Sequence, residues 1–105
     1  MTNSVGYQGF DPKKTGETVW LSFDFAALTS APINPVINSA LHAGSMDLAP
    51  SGILSGAPVI SGSKIFQKIT GGIDGADYKL TCSVEVVAPD GSVFILIGIL
   101  PVRNL

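Results

Sequence analysis

Two fragments of the sequence invite an enzymatic reading. Ser61-Gly62-Ser63-Lys64 matches S-x-x-K and Lys14-Thr15-Gly16 matches K-T-G, two parts of one serine-nucleophile signature set. In that set the serine opens a helix and K-T-G follows it in the chain. Here the order is reversed, S-x-x-K falls at a strand entry, and the chain is far too short for the fold that houses the set, so no catalysis is expected. Gly71-Gly72-Ile73-Asp74-Gly75 has the look of a phosphate-binding loop. Such loops open a helix whose N–H groups hold the anion, whereas a strand pattern follows this one. The glycines then serve to supply positive φ for a turn.

Metal and acid–base chemistry fare no better. His42 is the only histidine and Cys82 the only thiol, so one chain cannot gather three or four soft ligands. Asp74, Asp77 and Asp90 could meet at one end of the molecule, but their spacing is not that of a calcium loop, and a solvated turn cluster is the simpler reading. Asp24 and Glu85 fall on outward strand positions without a cleft between them. Cys82 falls in an inward phase with no base beside it, which suits inert packing. No catalytic residue, metal or cofactor is expected.

The chain has 105 residues, enough for one core and no more. Six Lys plus Arg stand against eight Asp plus Glu, for a net charge of -2 and no run of like charges, which argues against a nucleic-acid partner. Charged residues make up 13%, about half the usual share for a soluble domain, a composition suited to life in an assembly. The first residues carry neither basic charge nor an apolar core, so no export signal is expected. The longest apolar run, Val93 to Leu100, is far short of the roughly 18–20 residues that span a bilayer, and no membrane partner is expected. A single cysteine without an export signal fits a reduced cytoplasmic core residue.

Residues 1–16 lack apolar periodicity and read as a flexible arm ahead of a domain covering 17–105. Val19, Leu21, Phe23 and Phe25 then alternate with polar residues in a half-buried strand, with Trp20 on the outer phase. Residues 29–35 hold two prolines and predict a loop. Between Val36 and Ile60, three short apolar stretches separated by Gly and Pro predict short strands. Asn38 to His42 is the one place where a helical turn is conceivable. Lys64 to Thr70 is a strand with Ile65 and Ile69 on one face, interrupted by Gln67. Tyr78, Leu80, Cys82, Val84 and Val86 keep a strict two-residue period, the plainest strand of the chain. Ala88-Pro89-Asp90-Gly91 predicts a reverse turn, so that Val93 to Val102 returns antiparallel. That last strand is apolar on both faces, and either a second layer or another subunit must cover its outer side.

About seven short strands with Gly/Pro turns define an all-β, two-sheet β-sandwich. Asp74-Gly75-Ala76-Asp77-Tyr78-Lys79-Leu80 has the layout of a tyrosine corner, in which the hydroxyl bonds back to the chain a few residues upstream, and it points to an immunoglobulin-like sandwich. Leu80 would then take the place of the second immunoglobulin cysteine. The other readings are Tyr78 as an ordinary interior aromatic, and Trp20 as either a core plug or an outward residue.

The stretch from Ile69 to Val84, the turn and apolar strand after it, and the ending Leu100-Pro101-Val102-Arg103 resemble small tailed-bacteriophage virion proteins described as fiber-tail adaptors. The opening Glu17-Thr18-Val19-Trp20-Leu21-Ser22-Phe23-Asp24-Phe25 fits the same family, and the likeness covers most of residues 11–104. Phe66 stands for the family's aromatic before the Gly-Gly pair; Gly91-Ser92 replaces its usual Gly-Arg. The resemblance implies an immunoglobulin-like, non-enzymatic adaptor that joins virion components by protein–protein contacts. It also implies assembly in the host cytoplasm and a homo-oligomer in the particle. Candidate interface residues are Lys13, Lys14, Trp20, Val93, Ile95, Ile97 and Ile99. The alternatives are a head decoration or head–tail completion protein, and a host-surface or carbohydrate-binding module.

Overall fold

The computed structural model describes residues 3–87 and 91–104. Among the described residues, seven strands and one short turn of 3-10 helix make an all-β fold: β1 Asn3–Gly9, β2 Thr18–Asp24, β3 Ile33–Gly44, the 3-10 turn Pro50–Ile53, β4 Leu54–Ser61, β5 Lys64–Thr70, β6 Ala76–Glu85 and β7 Val93–Pro101. They form two sheets with strand orders β1-β7-β6-β3 and β2-β5-β4. Every pairing is antiparallel except that of β1 with β7. The expected all-β, two-sheet architecture is present.

The core follows from the alternation in the sequence. Tyr78, Leu80, Cys82 and Val84 of β6 are fully buried, as are Leu100 of β7 and Phe23, Phe25 and Ile65 beside them. In antiparallel register Leu80 lies opposite Gly98 and Ser39, and Cys82 opposite Leu96 and Ile37, so these residues share the inward face. Gln67, the polar interruption in β5, is 1% exposed. Its amide donates to the carbonyls of Ser55 at 3.4 Å, Gly56 at 3.1 Å and Lys68 at 3.0 Å. The β4 register shifts between Ser55 and Val59, and the buried amide satisfies carbonyls that this irregularity frees from the ladder.

Several expectations need correction. Residues 1–16 are not without regular structure: Asn3–Gly9 pair with β7 from Asn3/Val93 to Gly9/Ile99, and Lys13 makes a parallel bridge with Val102. The edge of a sheet accepts a strand that has little apolar periodicity of its own, because the ladder uses backbone groups. Asn38 to His42 forms no helical turn but the middle of β3, a long strand that replaces one of the predicted short ones. The loop predicted over 29–35 ends early, at Ile33, where β3 begins with Asn34 at φ 50 and a register shift before Val36. Trp20 is not a core plug; it is 56% exposed, as its phase against Leu21 and Phe23 requires. The predicted turn at Ala88-Pro89-Asp90 lies outside the described residues, while Gly91 has the positive φ of 62 that such a turn uses.

Candidate interaction site

The residues that could do chemistry are dispersed by the sheets. Ser61-Gly62-Ser63-Lys64 is the hairpin joining β4 to β5, with Gly62 at φ 60. Lys64 pairs with Asp24 at one end of the β2–β5 ladder, whereas Lys14-Thr15-Gly16 precedes Thr18, which pairs with Thr70 at the other. Six residues of strand, about 20 Å, separate the two motifs. Gly71, Gly72 and Gly75 all have positive φ and form the turn into β6. Asp77 is paired with Arg103 at 2.7 Å and Asp74 accepts the Asn104 N–H at 2.9 Å. Asp90 lies outside the described residues, and among the described residues no group of three metal-ligating side chains occurs. Burial pushes the Cys82 thiol up to about 12, which leaves it protonated and inert at neutral pH.

Tyr78 organises one end of the sandwich. Its hydroxyl accepts the Ile73 N–H at 3.0 Å and donates to Asp47 Oδ2 at 2.7 Å. The upstream bond expected of a tyrosine corner is present, and a second arm ties in the β3–β4 connection. Asp47 in turn accepts the Ala49 N–H at 2.9 Å. The carboxylate is thus turned inward while its neighbours Met46 and Leu48 stand out, 70% and 92% exposed. Tyr78→Phe is expected to destabilise the fold by about 1–3 kcal/mol, because it strands a backbone donor and a carboxylate oxygen together. Urea unfolding measures it, and an unchanged midpoint would show that water replaces the hydroxyl freely.

The candidate interface residues separate into three groups. Lys13 departs from expectation: it is 2% exposed, and its ammonium donates to the carbonyls of Gly71 and Lys14, each at 2.7 Å. Burial lowers its pKa, with Glu17 pulling the other way. It fastens the N-terminal segment to the turn before β6 instead of offering its charge to a partner, while Lys14 remains exposed. Val93, Ile95, Ile97 and Ile99 are half-buried on the outward side of β7, between β6 and β1. The second sheet packs on the opposite side, against Leu96 and Leu100. Trp20 is the third group. On the outer face of β2-β5-β4, it pairs with Lys68; Phe66, two positions along β5, pairs with Ser22 and with Val59, itself 49% exposed. Diagonal neighbours at this spacing touch through large side chains, so Trp20, Phe66 and Val59 draw an apolar stripe across a solvent-facing sheet.

A groove of ≈ 470 Å³ runs beside this stripe, lined by Phe10, Pro12, Lys13, Val19, Trp20 and Leu21 among others. Both faces of β2 contribute to it, so it follows the edge of that strand. Its far wall is held by Phe10, whose ring meets Phe23 edge-on, with centroids 5.4 Å apart. The ring lies over Gly98, where any Cβ would collide with it. Sequence reasoning found Trp20 but missed both the groove and the exposed pair Met46 and Leu48. The signal for the pair was two large apolar residues flanking an aspartate between Gly44 and Pro50.

No protein family, curated protein or solved structure matches the chain.

Proposed function

We propose that the chain is a non-enzymatic structural protein of a tailed bacteriophage particle, an immunoglobulin-like adaptor that joins virion components by protein–protein contacts. The observation that carries a contact role is the apolar stripe of Trp20, Phe66 and Val59, set on a regular sheet face where folding gains nothing from leaving it uncovered. The immunoglobulin-like assignment has two supports. The strands β2-β5-β4 and β7-β6-β3 fall in the sheet order of the corresponding immunoglobulin strands, and the Tyr78 hydroxyl makes the corner bond. The virion setting rests on the resemblance of residues 11–104 to fiber-tail adaptors. Mass spectrometry and cryo-electron microscopy of purified particles test it: density for a two-sheet module at the tail is expected. Density on the capsid exterior or at the portal would favour the decoration or completion role. Particles lacking the chain would end the virion reading.

A second reading, a module for carbohydrate or host surfaces, draws on the same Trp20, since an exposed indole beside Phe66 can stack on a sugar ring. Trp20 is the single tryptophan, so its emission reports on whatever lands on that face. A glycan array that leaves the emission unchanged throughout removes this reading.

A further inference from the structure

Strands β1 and β3 end one sheet and β2 and β4 the other, and their outer backbones are protected to different degrees. An unpaired edge is a template for another strand unless charge, proline, irregularity or a covering segment blunts it. Strand β4 is interrupted by the register shift between Ser55 and Val59, a stretch that contains Pro58. Strand β2 carries Asp24, and the segment from Phe10 to Lys13 stands beside it in the groove. Strand β1 has glycine at two of its seven positions, which weakens any ladder it could add. Strand β3 is different: it has 12 residues and no Asp, Glu, Lys or Arg. Between its two register shifts, Val36 to Leu41 run in unbroken register on β6, and the opposite backbone edge of this stretch pairs with no strand. The orphaned polar group of the molecule falls on the same stretch. Among the described residues, the Ser39 hydroxyl is the buried side-chain polar atom without a hydrogen-bond partner. It stands opposite Leu80 on the inward face, between the apolar Ile37 and Leu41. Across the sandwich, Ile60 of β4 shares the inward phase of its register partner Ile65, yet it is 44% exposed where Ile65 is fully buried. Strands β3 and β4 contact each other, so the sandwich is open along the side where both of them end.

We propose that two copies of this chain join edge to edge on that side, β3 against β3 and antiparallel, about a two-fold axis at Ser39, so that two four-stranded sheets become one sheet of eight strands. A register that pairs odd positions with odd ones keeps Ile37, Ser39 and Leu41 of both copies on the inward face. With Ser39 on the axis, Ile37 meets Leu41 of the second copy and Asn38 meets its Ala40. The two Ser39 Cα atoms then stand about 4.5–5.5 Å apart, where a hydroxyl–hydroxyl bond across the strands closes. The occupant is a second copy because a two-fold axis sets each edge against its own image: the uncharged stretch meets no repulsion in doing so, and the orphaned hydroxyl gains a partner. The contact is isologous, so assembly stops at the dimer. Five residues from each copy, Ile37 to Leu41, make a small footprint, and association is weak and depends on concentration. The inference stands apart from the adaptor reading, since self-association and particle composition are measured separately.

Sedimentation velocity of the full chain over a wide concentration range tests it, and a monomer–dimer equilibrium is expected. Asn38→Lys should raise the concentration needed for dimer by about tenfold or more, because it brings two ammonium groups onto one face of the joined strands. Asn38 is exposed, so the thermal midpoint of the monomer should not move. Oxidative cross-linking of the full chain fixes the register. Ser39→Cys should give a disulfide-linked dimer, since the expected Cα separation lies within disulfide range. Asn38→Cys and Ala40→Cys should each cross-link poorly alone, because each residue lies diagonal to its own image, and efficiently when the two are mixed. The unaltered chain is the control, its Cys82 thiol being buried. A chain that stays monomeric up to its solubility limit overturns the proposal. So does a dimer indifferent to Asn38→Lys, a Ser39→Cys chain that does not cross-link, or an Asn38→Cys chain that links to itself as readily as to Ala40→Cys.

Discussion

Replacing Gly44 by alanine is expected to destabilise the fold by about 3 kcal/mol or more, the range reached only when strain and a steric conflict coincide. Gly44 sits at φ 85, where an L side chain is strained, and a Cβ built there would overlap the backbone carbonyl of Gly75. That carbonyl cannot rotate aside. It accepts the Ser45 N–H at 3.1 Å, and the next residue, Ala76, is in register with Gly44 itself. Gly56 provides the control, because it has a similar φ of 76 but open space around its missing Cβ. Gly56→Ala should therefore show only the backbone term of about 1–2 kcal/mol. Denaturant midpoints at constant slope compare the two, and equal losses would mean that the Gly75 carbonyl yields.

The second large effect is a loss of stability in alkali that traces to Cys82. Burial raises its thiol from an ordinary 9.0 to about 12 in the folded chain. Below the unfolded value both states hold the proton, and the stabilisation is fully present. As pH rises past that value the unfolded chain ionises while the folded chain does not, and stability falls until the folded value is reached. The full span amounts to about 4 kcal/mol, of which about 2 kcal/mol is lost between pH ~8 and pH ~10.5. Tyr78 acts in the same sense, its hydroxyl raised by burial and then by Asp47. Lys13 acts in the opposite sense, since burial lowers its pKa and rising pH relieves the strain of an ammonium held out of water. Urea titrations of the unaltered chain and of Cys82→Ala across this range isolate the thiol. The substituted chain starts less stable but should decline less steeply, and parallel decline in both would rule the thiol out.

Period-two patterning was sufficient for β2 and β6, because in each the inward residues are large and apolar and the outward ones mostly polar; β5 was legible despite the buried Gln67 on its inward face, and β7 through an apolar run bounded by a turn, not through alternation. Lys64–Thr70 matches its predicted limits, and Gly71, Gly72 and Gly75 take the positive φ that their spacing implied. Strand β3 was harder to read. Its inward positions include Ser39 and its outward ones Val36 and Ala40, so alternation is blurred, and long-range pairing with β6 decides what local preference leaves open. Strand β1 was illegible for a related reason: the parallel ladder to β7 depends on a backbone edge that exists only after the other strands have assembled. Lys13 was misjudged because residue type alone predicts an exposed charge, and only the tertiary fold brings the carbonyl of Gly71 to its ammonium. Trp20 was legible in its outward phase, whereas the groove beside it required the segment from Phe10 to Lys13 to be placed first.

The parallel pairing of β1 with β7 has a mechanical side. Force applied at the start of β1 and at the end of β7 pulls these neighbours in opposite directions along their length, so the inter-strand bonds from Asn3/Val93 to Gly9/Ile99 share the load in shear and do not open one after another. Behind that ladder, the Lys13–Val102 bridge and the Thr15–Asn104 bond add further stitches in the same seam. A tether entering through β1 and leaving through β7 would therefore transmit tension across the molecule without first peeling its sheets apart.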